Sequence, residues 1–209
     1  MADTIIKILT PANSFDLMTV DELKLKLGIN DSTQDEHFAD MITEYSDVIS
    51  VMCNRCFAKE RVLETWRCLG SRRVYLSHWP VKEADIEKVE CPRGSVVGTG
   101  DYELEEQSGK LSLFIDVQQP VAVTYTGGFD LPDEAPPALQ AALELLIRAA
   151  RAQAQQQATA GVRSISHKDA RVMFFDPNLA FRQAGGATAM TAAGKTVDNL
   201  LYHYTRFNV

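Results

Sequence analysis

Cys53 and Cys56 form a C-x-x-C, and with Cys68 and Cys91 they are the chain's four thiols. Such a pair suits metal ligation or disulfide exchange. A zinc site built on it needs further ligands, and Cys68 and Cys91 would complete it without a second C-x-x-C. A redox pair follows a strand and opens a helix, whereas this one closes a helical pattern. The thiols are therefore read as free and packed, with no metal and no cofactor expected. His37, His78, His167 and His203 are scattered, none with a metal-ligating neighbour at helical spacing. Ser164, Ser166, His167 and Asp169 are close along the chain, but triad members come from separate elements and meet only in space. Asp101, Glu103, Glu105 and Glu106 could pass for a carboxylate cluster. On an alternating strand Glu103 and Glu105 share the solvent face, so a solvated edge is expected. No Gly-rich phosphate loop, G-x-S-x-G elbow or H-E-x-x-H is present in the sequence. The residues point away from catalysis; a small cysteine-based metal or thiol enzyme is the competing class.

The elements behind these residues are legible in the apolar spacing. Thr19 and Glu22 form a capping box, with Met18 and Leu23 as a hydrophobic staple, and predict a short helix ending near Gly28. Thr33 and Glu36 repeat the signal. Beyond them Phe38, Met41, Ile42, Tyr45, Val48, Ile49 and Met52 make one stripe of three- and four-residue steps, a long helix that stops near Asn54. From Glu60 to Thr126 the period shortens to two, with six strand candidates: Val62–Cys68, Arg73–Ser77, Asp85–Cys91, Tyr102–Glu105, Leu111–Ile115 and Val121–Thr126. Ser108-Gly109 is the expected hairpin turn. After Gly127-Gly128 and the prolines through Pro137, Leu139, Ala142, Leu143, Leu146 and Ala150 predict a second long helix. Residues 159–190 read as an irregular arm with extended pieces at Val162–Ser166 and Val172–Phe175, the Ala/Gly/Thr-rich run Ala184–Gly194 as a linker, and Val197, Leu200, Leu201 and Tyr204 as a terminal amphipathic helix. Such a helix needs a surface to cover its apolar face: either a partner's, or the chain's own core.

The expected fold is α+β. A helical bundle of N-terminal helices and the long helix of the second half carries an inserted small antiparallel β domain. An extended C-terminal tail ends in a short helix. The boundaries are 1–58 for the N-terminal helical part, 59–130 for the β-rich insertion, 131–158 for the long helix, and 159–209 for the arm and docking helix.

Composition bounds the rest. With 209 residues, 45% apolar and 23% charged, the chain can bury a real core. No apolar run reaches the roughly 18–20 residues that span a bilayer, and the N-terminus lacks signal-peptide architecture; a soluble, cytosolically made product with no membrane partner is expected. Residues 137–209 hold eight basic against four acidic side chains, so the first 136 residues carry −11 of the net −7. The asymmetry favours head-to-tail contacts between copies or docking on an acidic partner, and is equally the pattern of solvated charges scattered by chance. Basic residues do not cluster and do not interleave with aromatics, which argues against nucleic-acid recognition.

The order of segments resembles a known family. Leu17-Met18-Thr19-Val20-Asp21-Glu22-Leu23-Lys24, with the helix through Asn54-Arg55-Cys56-Phe57, looks like the N-terminus of tailed-phage head–tail connector (adaptor, head completion) proteins. Val123-Thr124-Tyr125-Thr126-Gly127-Gly128-Phe129, Leu131-Pro132 through Leu139, and the terminal Leu200 to Phe207 match the same group in order. The resemblance implies a structural virion neck protein: a homo-oligomeric ring, usually of twelve copies, below the portal. It would extend the DNA channel and meet a head-closure or tail protein. Packaged DNA would pass its lumen without sequence-specific binding, and the protein would reside in the virion after assembly in the host cytoplasm. Phe38, Met41, Ile42, Tyr45, Leu139, Leu143 and Leu146 would lie on the ring-packing helix faces. Leu200, Leu201, Tyr204, Arg206 and Phe207 would dock on the portal. A head-closure or tail-terminator protein is the alternative within the virion.

Overall fold

Local signals set the helices. The computed structural model describes residues 4–68, 71–91, 95–115, 119–158, 164–167, 170–173 and 196–206. Helix α1 (Val20–Leu27) starts with the full capping box: Glu22 N–H donates to the Thr19 hydroxyl, and Thr19 N–H donates to the Glu22 carboxylate at 2.9 Å. It stops at Gly28, left-handed at φ 70, a conformation that costs glycine nothing. Helix α2 (Asp35–Cys53) does not use the second expected box. Thr33 turns back instead, donating its hydroxyl to Asp31 at 2.6 Å and its N–H at 3.0 Å, so the cap position falls to Gln34 without a side-chain bond. A short polar side chain two residues upstream competes successfully for the threonine. Lys24, paired with Asp35 at 2.7 Å, ties α1 to the first turn of α2. Helix α3 (Pro137–Ala158) packs on α2: Leu139, Ala142, Leu143 and Ile147 share a core with Phe38, Met41, Ile42 and Ile49. Burying each such large side chain contributes about 1.5–3 kcal/mol before entropy is counted.

The strands build a separate core. Strands β1 (Thr4–Thr10), β2 (Glu60–Trp66), β8 (Val121–Gly127), β4 (Ile86–Cys91) and β5 (Ser95–Val96) lie side by side in that order, every pair antiparallel. A second sheet runs β3 (Arg73–Tyr75), β7 (Lys110–Leu113), β6 (Tyr102–Glu105). Alternation sends Val62, Trp66, Val121, Val123 and Tyr125 of the first sheet, and Val74, Leu111 and Leu113 of the second, into one shared core. The hairpin at Ser108-Gly109 joins β6 to β7, with Gly109 at φ 64. The architecture is α+β, as the pattern of periods predicts.

One expectation changes and two become definite. Residues 1–58 are not wholly helical, because β1 leaves the helices and pairs along β2 from Thr4↔Trp66 to Thr10↔Arg61. Its run of isoleucines does not alternate with polar residues, so period gives no strand signal there. Residues 164–167 and 170–173 pair antiparallel as β9 and β10, overlapping the extended pieces expected at 162–166 and 172–175; most of 159–194 lies outside the described residues. The terminal helix α4, residues 196–201, places Val197 and Leu201 inside the helical core. Among the described residues no helix is long and apolar enough to cross a membrane.

The two cores meet where β8 ends. A Cβ on Gly127 would sit 2.2 Å from the His78 carbonyl oxygen, and one on Gly128 (φ 106) 2.4 Å from that of Ala58. Only glycine lets three backbone segments close there. Gly128 N–H donates to Pro80, Phe129 N–H to Phe57, and Lys59 N–H to Phe129.

Candidate functional site

The junction between the cores is polar and buried. Cys53 closes α2, Asn54 turns the chain in a left-handed conformation at φ 53, and Arg55 drops inward to 6% exposure. Its guanidinium carbon lies 3.4 Å from the Trp79 ring centroid and 4.6 Å from that of Phe57, and Nη2 donates to the Trp79 carbonyl. Among the described residues Nε and Nη1 have no hydrogen-bond partner. Burial brings this guanidinium down to about 9, and the two ring faces offset part of that loss by favouring the cation. Beside it, Glu60 opens β2 pointing inward. It accepts from Ala12 N–H at 3.3 Å, meets His78 Nε2 at 2.9 Å, and lies 3.8 Å from the Cys56 sulfur. The pKa of His78 is lowered below its ordinary value, first by burial, and its Nδ1 has no hydrogen-bond partner among the described residues. Cys56 and Cys53 are each pushed up to about 11 by burial, so both stay thiols at neutral pH.

Further along the same face of β2, Glu64 is fully buried and surrounded by donors. Ser77 gives its N–H at 2.9 Å and its hydroxyl at 2.5 Å, and the Tyr125 hydroxyl donates at 2.9 Å while accepting from His78 N–H at 3.1 Å. Into this network comes the C-terminal segment. Arg206 donates from Nη1 to Ser77 Oγ at 2.7 Å and brings Nη2 to 3.8 Å from the Glu64 carboxylate; its backbone N–H donates to the Cys53 carbonyl. Tyr204 sets its ring edge-on to Phe57, with centroids 6.2 Å apart. A cleft of about 420 Å³ remains beside the segment, between Trp79 and Ser108 on one side and Tyr202 and His203 on the other.

The expected site residues fall in two groups. Leu201 and Arg206 are engaged within the chain, Leu200 and Tyr204 pack on its helical core, and Phe207 lies outside the described residues. Phe38, Met41, Ile42, Leu139 and Leu143 are buried between α2 and α3, with Tyr45 and Leu146 half-buried against them. Exposed apolar side chains stand elsewhere: Leu25 on α1, Val48, Val51 and Met52 on α2, and Ile5, Ile6, Ile8 and Leu9 along β1, the outermost strand of its sheet. The four cysteines do not assemble. All are free, Cys68 is exposed, and the three-donor group among the described residues joins Cys56 to Glu60 and His78. Glu103 and Glu105 are exposed on β6. Ser164, Ser166 and His167 lie on β9, and Asp169 lies outside the described residues. The buried carboxylates carried a readable signal: Glu60 and Glu64 share parity with Val62 and Trp66, on the inward face of β2.

No protein-family model and no curated protein matches the chain. Solved structures do. A chain in the neck of an empty gene transfer agent particle, computed with C6 symmetry, superposes with a TM-score of 0.55 at 13% identity, covering 98% of this chain and 97% of that one. A chain in the neck of the native particle, computed with C12 symmetry, gives 0.52 at 14% identity over the same shares. A chain of the native virion gives 0.53 at 15% identity, again over 98% and 97%. The fold is shared end to end, in agreement at that level with the connector resemblance.

Proposed function

We propose that this chain is a structural, non-catalytic component of the neck of a tailed phage or phage-like particle. It is a head–tail connector that assembles as a ring of twelve chains below the portal, extending the DNA channel towards the head-closure or tail protein. The observation that carries this reading is the end-to-end likeness to neck chains, in reconstructions of sixfold and twelvefold symmetry. Ring contacts suit the surfaces left apolar outside the cores. Among the described residues β1 is the outermost strand of its sheet and carries exposed isoleucines, and α1 and α2 present Leu25, Val48 and Val51. Phe38, Met41, Ile42, Tyr45, Leu139, Leu143 and Leu146 then serve the ring by holding α2 and α3 together as its wall. An acidic first half lining the lumen gives phosphate nothing to bind, so DNA slides.

The portal-docking role belongs to the C-terminal stretch. In the free chain Leu201 and Arg206 are seated against the helical core and Glu64, so docking by Leu200, Leu201, Tyr204, Arg206 and Phe207 requires the portal to outbid that seat. Truncation at residue 195 would strip Val197 and Leu201 from the core, so point changes are the cleaner test. The purified chain is expected to be a monomer by light scattering and to form a ring when mixed with portal rings of its own particle. Tyr204→Ala and Leu200→Ser, each folded by circular dichroism, should lose attachment in a pull-down. Failure of the native chain to bind portal rings refutes the connector role; unchanged attachment of both variants refutes the docking assignment.

A further inference from the structure

We propose that Cys56, Glu60 and His78 form a binding site for one divalent transition-metal ion of the zinc class at the junction of the two cores. Their ligand atoms lie within 4.8 Å of one another, with Glu60 Oε2 2.9 Å from His78 Nε2 and 3.8 Å from Cys56 Sγ. Around a tetrahedral zinc, with bonds of about 2.3 Å to sulfur and about 2.0–2.1 Å to nitrogen and oxygen, neighbouring donors stand about 3.3–3.6 Å apart. The Glu60–His78 contact opens and the Glu60–Cys56 contact closes by a few tenths of an ångström, and Cys56 and His78, within 4.8 Å of each other, approach by up to about 1.2 Å through side-chain rotation, to bring all three into the first coordination sphere. Water takes the fourth position.

The donor set selects the ion. Thiolate, imidazole and carboxylate together suit zinc, cobalt and their neighbours, whereas calcium and magnesium take oxygen alone. Charge balances as well: one thiolate and one carboxylate neutralise a divalent cation in a place where an unpaired charge would be costly. The thiol proton leaves on binding and the His78 proton shifts from Nε2 to Nδ1, so the net change is metal in and one proton out. One neighbour already occupies an outer position: Glu60 Oε1 accepts from Ala12 N–H. Cys56 is half-buried, which leaves the ion an approach from solvent.

The three ligands come from three segments: the turn after α2, the start of β2 and the connection from β3 towards β4. A bound ion thus staples the helical core to the β core. In its absence the same atoms form a hydrogen-bonded cluster, with Cys56 S–H and His78 Nε2–H both directed at Glu60.

The test uses the full chain stripped of metal with a chelator. Calorimetric titration with zinc should give one site per chain and a heat that varies with the buffer's protonation enthalpy, reporting the released proton. Cobalt should give a thiolate-to-metal charge-transfer band. Cys56→Ser should abolish that band, His78→Gln should weaken zinc binding by about tenfold or more, and Cys68→Ser should change neither. Zinc should also raise the melting temperature of the native chain but not of Cys56→Ser. The proposal is overturned if the native chain binds no zinc at tens of micromolar, if its cobalt complex lacks the thiolate band, or if binding persists unchanged in the Cys56→Ser, His78→Gln double variant. The first two readings use the native chain and do not depend on any variant folding.

Discussion

Removing the Glu64 side chain should be among the most damaging single changes outside the apolar cores. Glu64 is fully buried and accepts from Ser77 N–H, the Ser77 hydroxyl and the Tyr125 hydroxyl, with Arg206 3.8 Å away. In Glu64→Ala those three donors lose their acceptor where water does not replace it, at about 1–3 kcal/mol each when fully orphaned. Rotation of the two hydroxyls recovers part, so the net loss should be about 3–5 kcal/mol, as for other broken buried networks. Arg206→Ala should cost less. At about 4 Å an effective dielectric near 20 gives roughly 4 kcal/mol of gross attraction, but Arg206 is a quarter exposed, and solvent screening reduces this to about 1–2 kcal/mol. The two residues share Ser77, so the double variant should show a coupling energy of about 1 kcal/mol or more. Urea unfolding at neutral pH measures all three variants. A loss below about 1 kcal/mol for Glu64→Ala would refute the claim that this network holds the junction. Strict additivity would refute the claim that the C-terminal segment is tied into it.

Leu201→Ala should destabilise by about 2–5 kcal/mol, because Leu201 is 2% exposed in the helical core, whereas Tyr202→Ala on the exposed side should stay within about 0.5 kcal/mol; equal losses in urea unfolding would contradict the seating of α4. For pH, His78 is held neutral by burial, its value lowered from 6.5 despite the opposing pull of Glu60 and Glu64. The unfolded chain then binds a proton that the folded chain refuses. Stability contributed by the neutral ring is complete above about pH 6.5 and declines as pH falls below it towards the folded value. His78→Gln should flatten that part of the curve of unfolding free energy against pH, and an unchanged slope would count against it.

The parts of the fold that depend on neighbours along the chain were legible. The Thr19–Glu22 capping box, the α2 stripe from Phe38 to Ile49, the turn at Ser108-Gly109 and the alternation of β7 and β8 each express a local rule. Even locally, competition decided one case: Thr33 could cap α2 or bond Asp31, and geometry chose Asp31. The N-terminal strand was illegible for a different reason. Its isoleucines fit a strand but do not alternate with polar residues, and only pairing with β2, more than fifty positions on, makes it one.

The junction shows the division most clearly. The amino-acid order alone establishes an α+β chain, a β block between helices, and a C-terminal helix whose apolar face has to be covered. Glu60 and Glu64 share the parity of Val62 and Trp66 along β2, and only the folded strand shows that this parity faces inward. What covers the helix, and what surrounds those carboxylates, is settled by contacts between distant segments: Arg206 reaches Ser77 from 129 positions away, and Tyr125 reaches Glu64 from 61. The same holds for the thiols. Spacing pairs Cys56 with Cys53, but the tertiary structure sets it beside Glu60 and His78 instead. Periodicity is a property of a few successive residues, whereas a buried polar cluster exists only once burial has removed water and chain crossing has brought its members together.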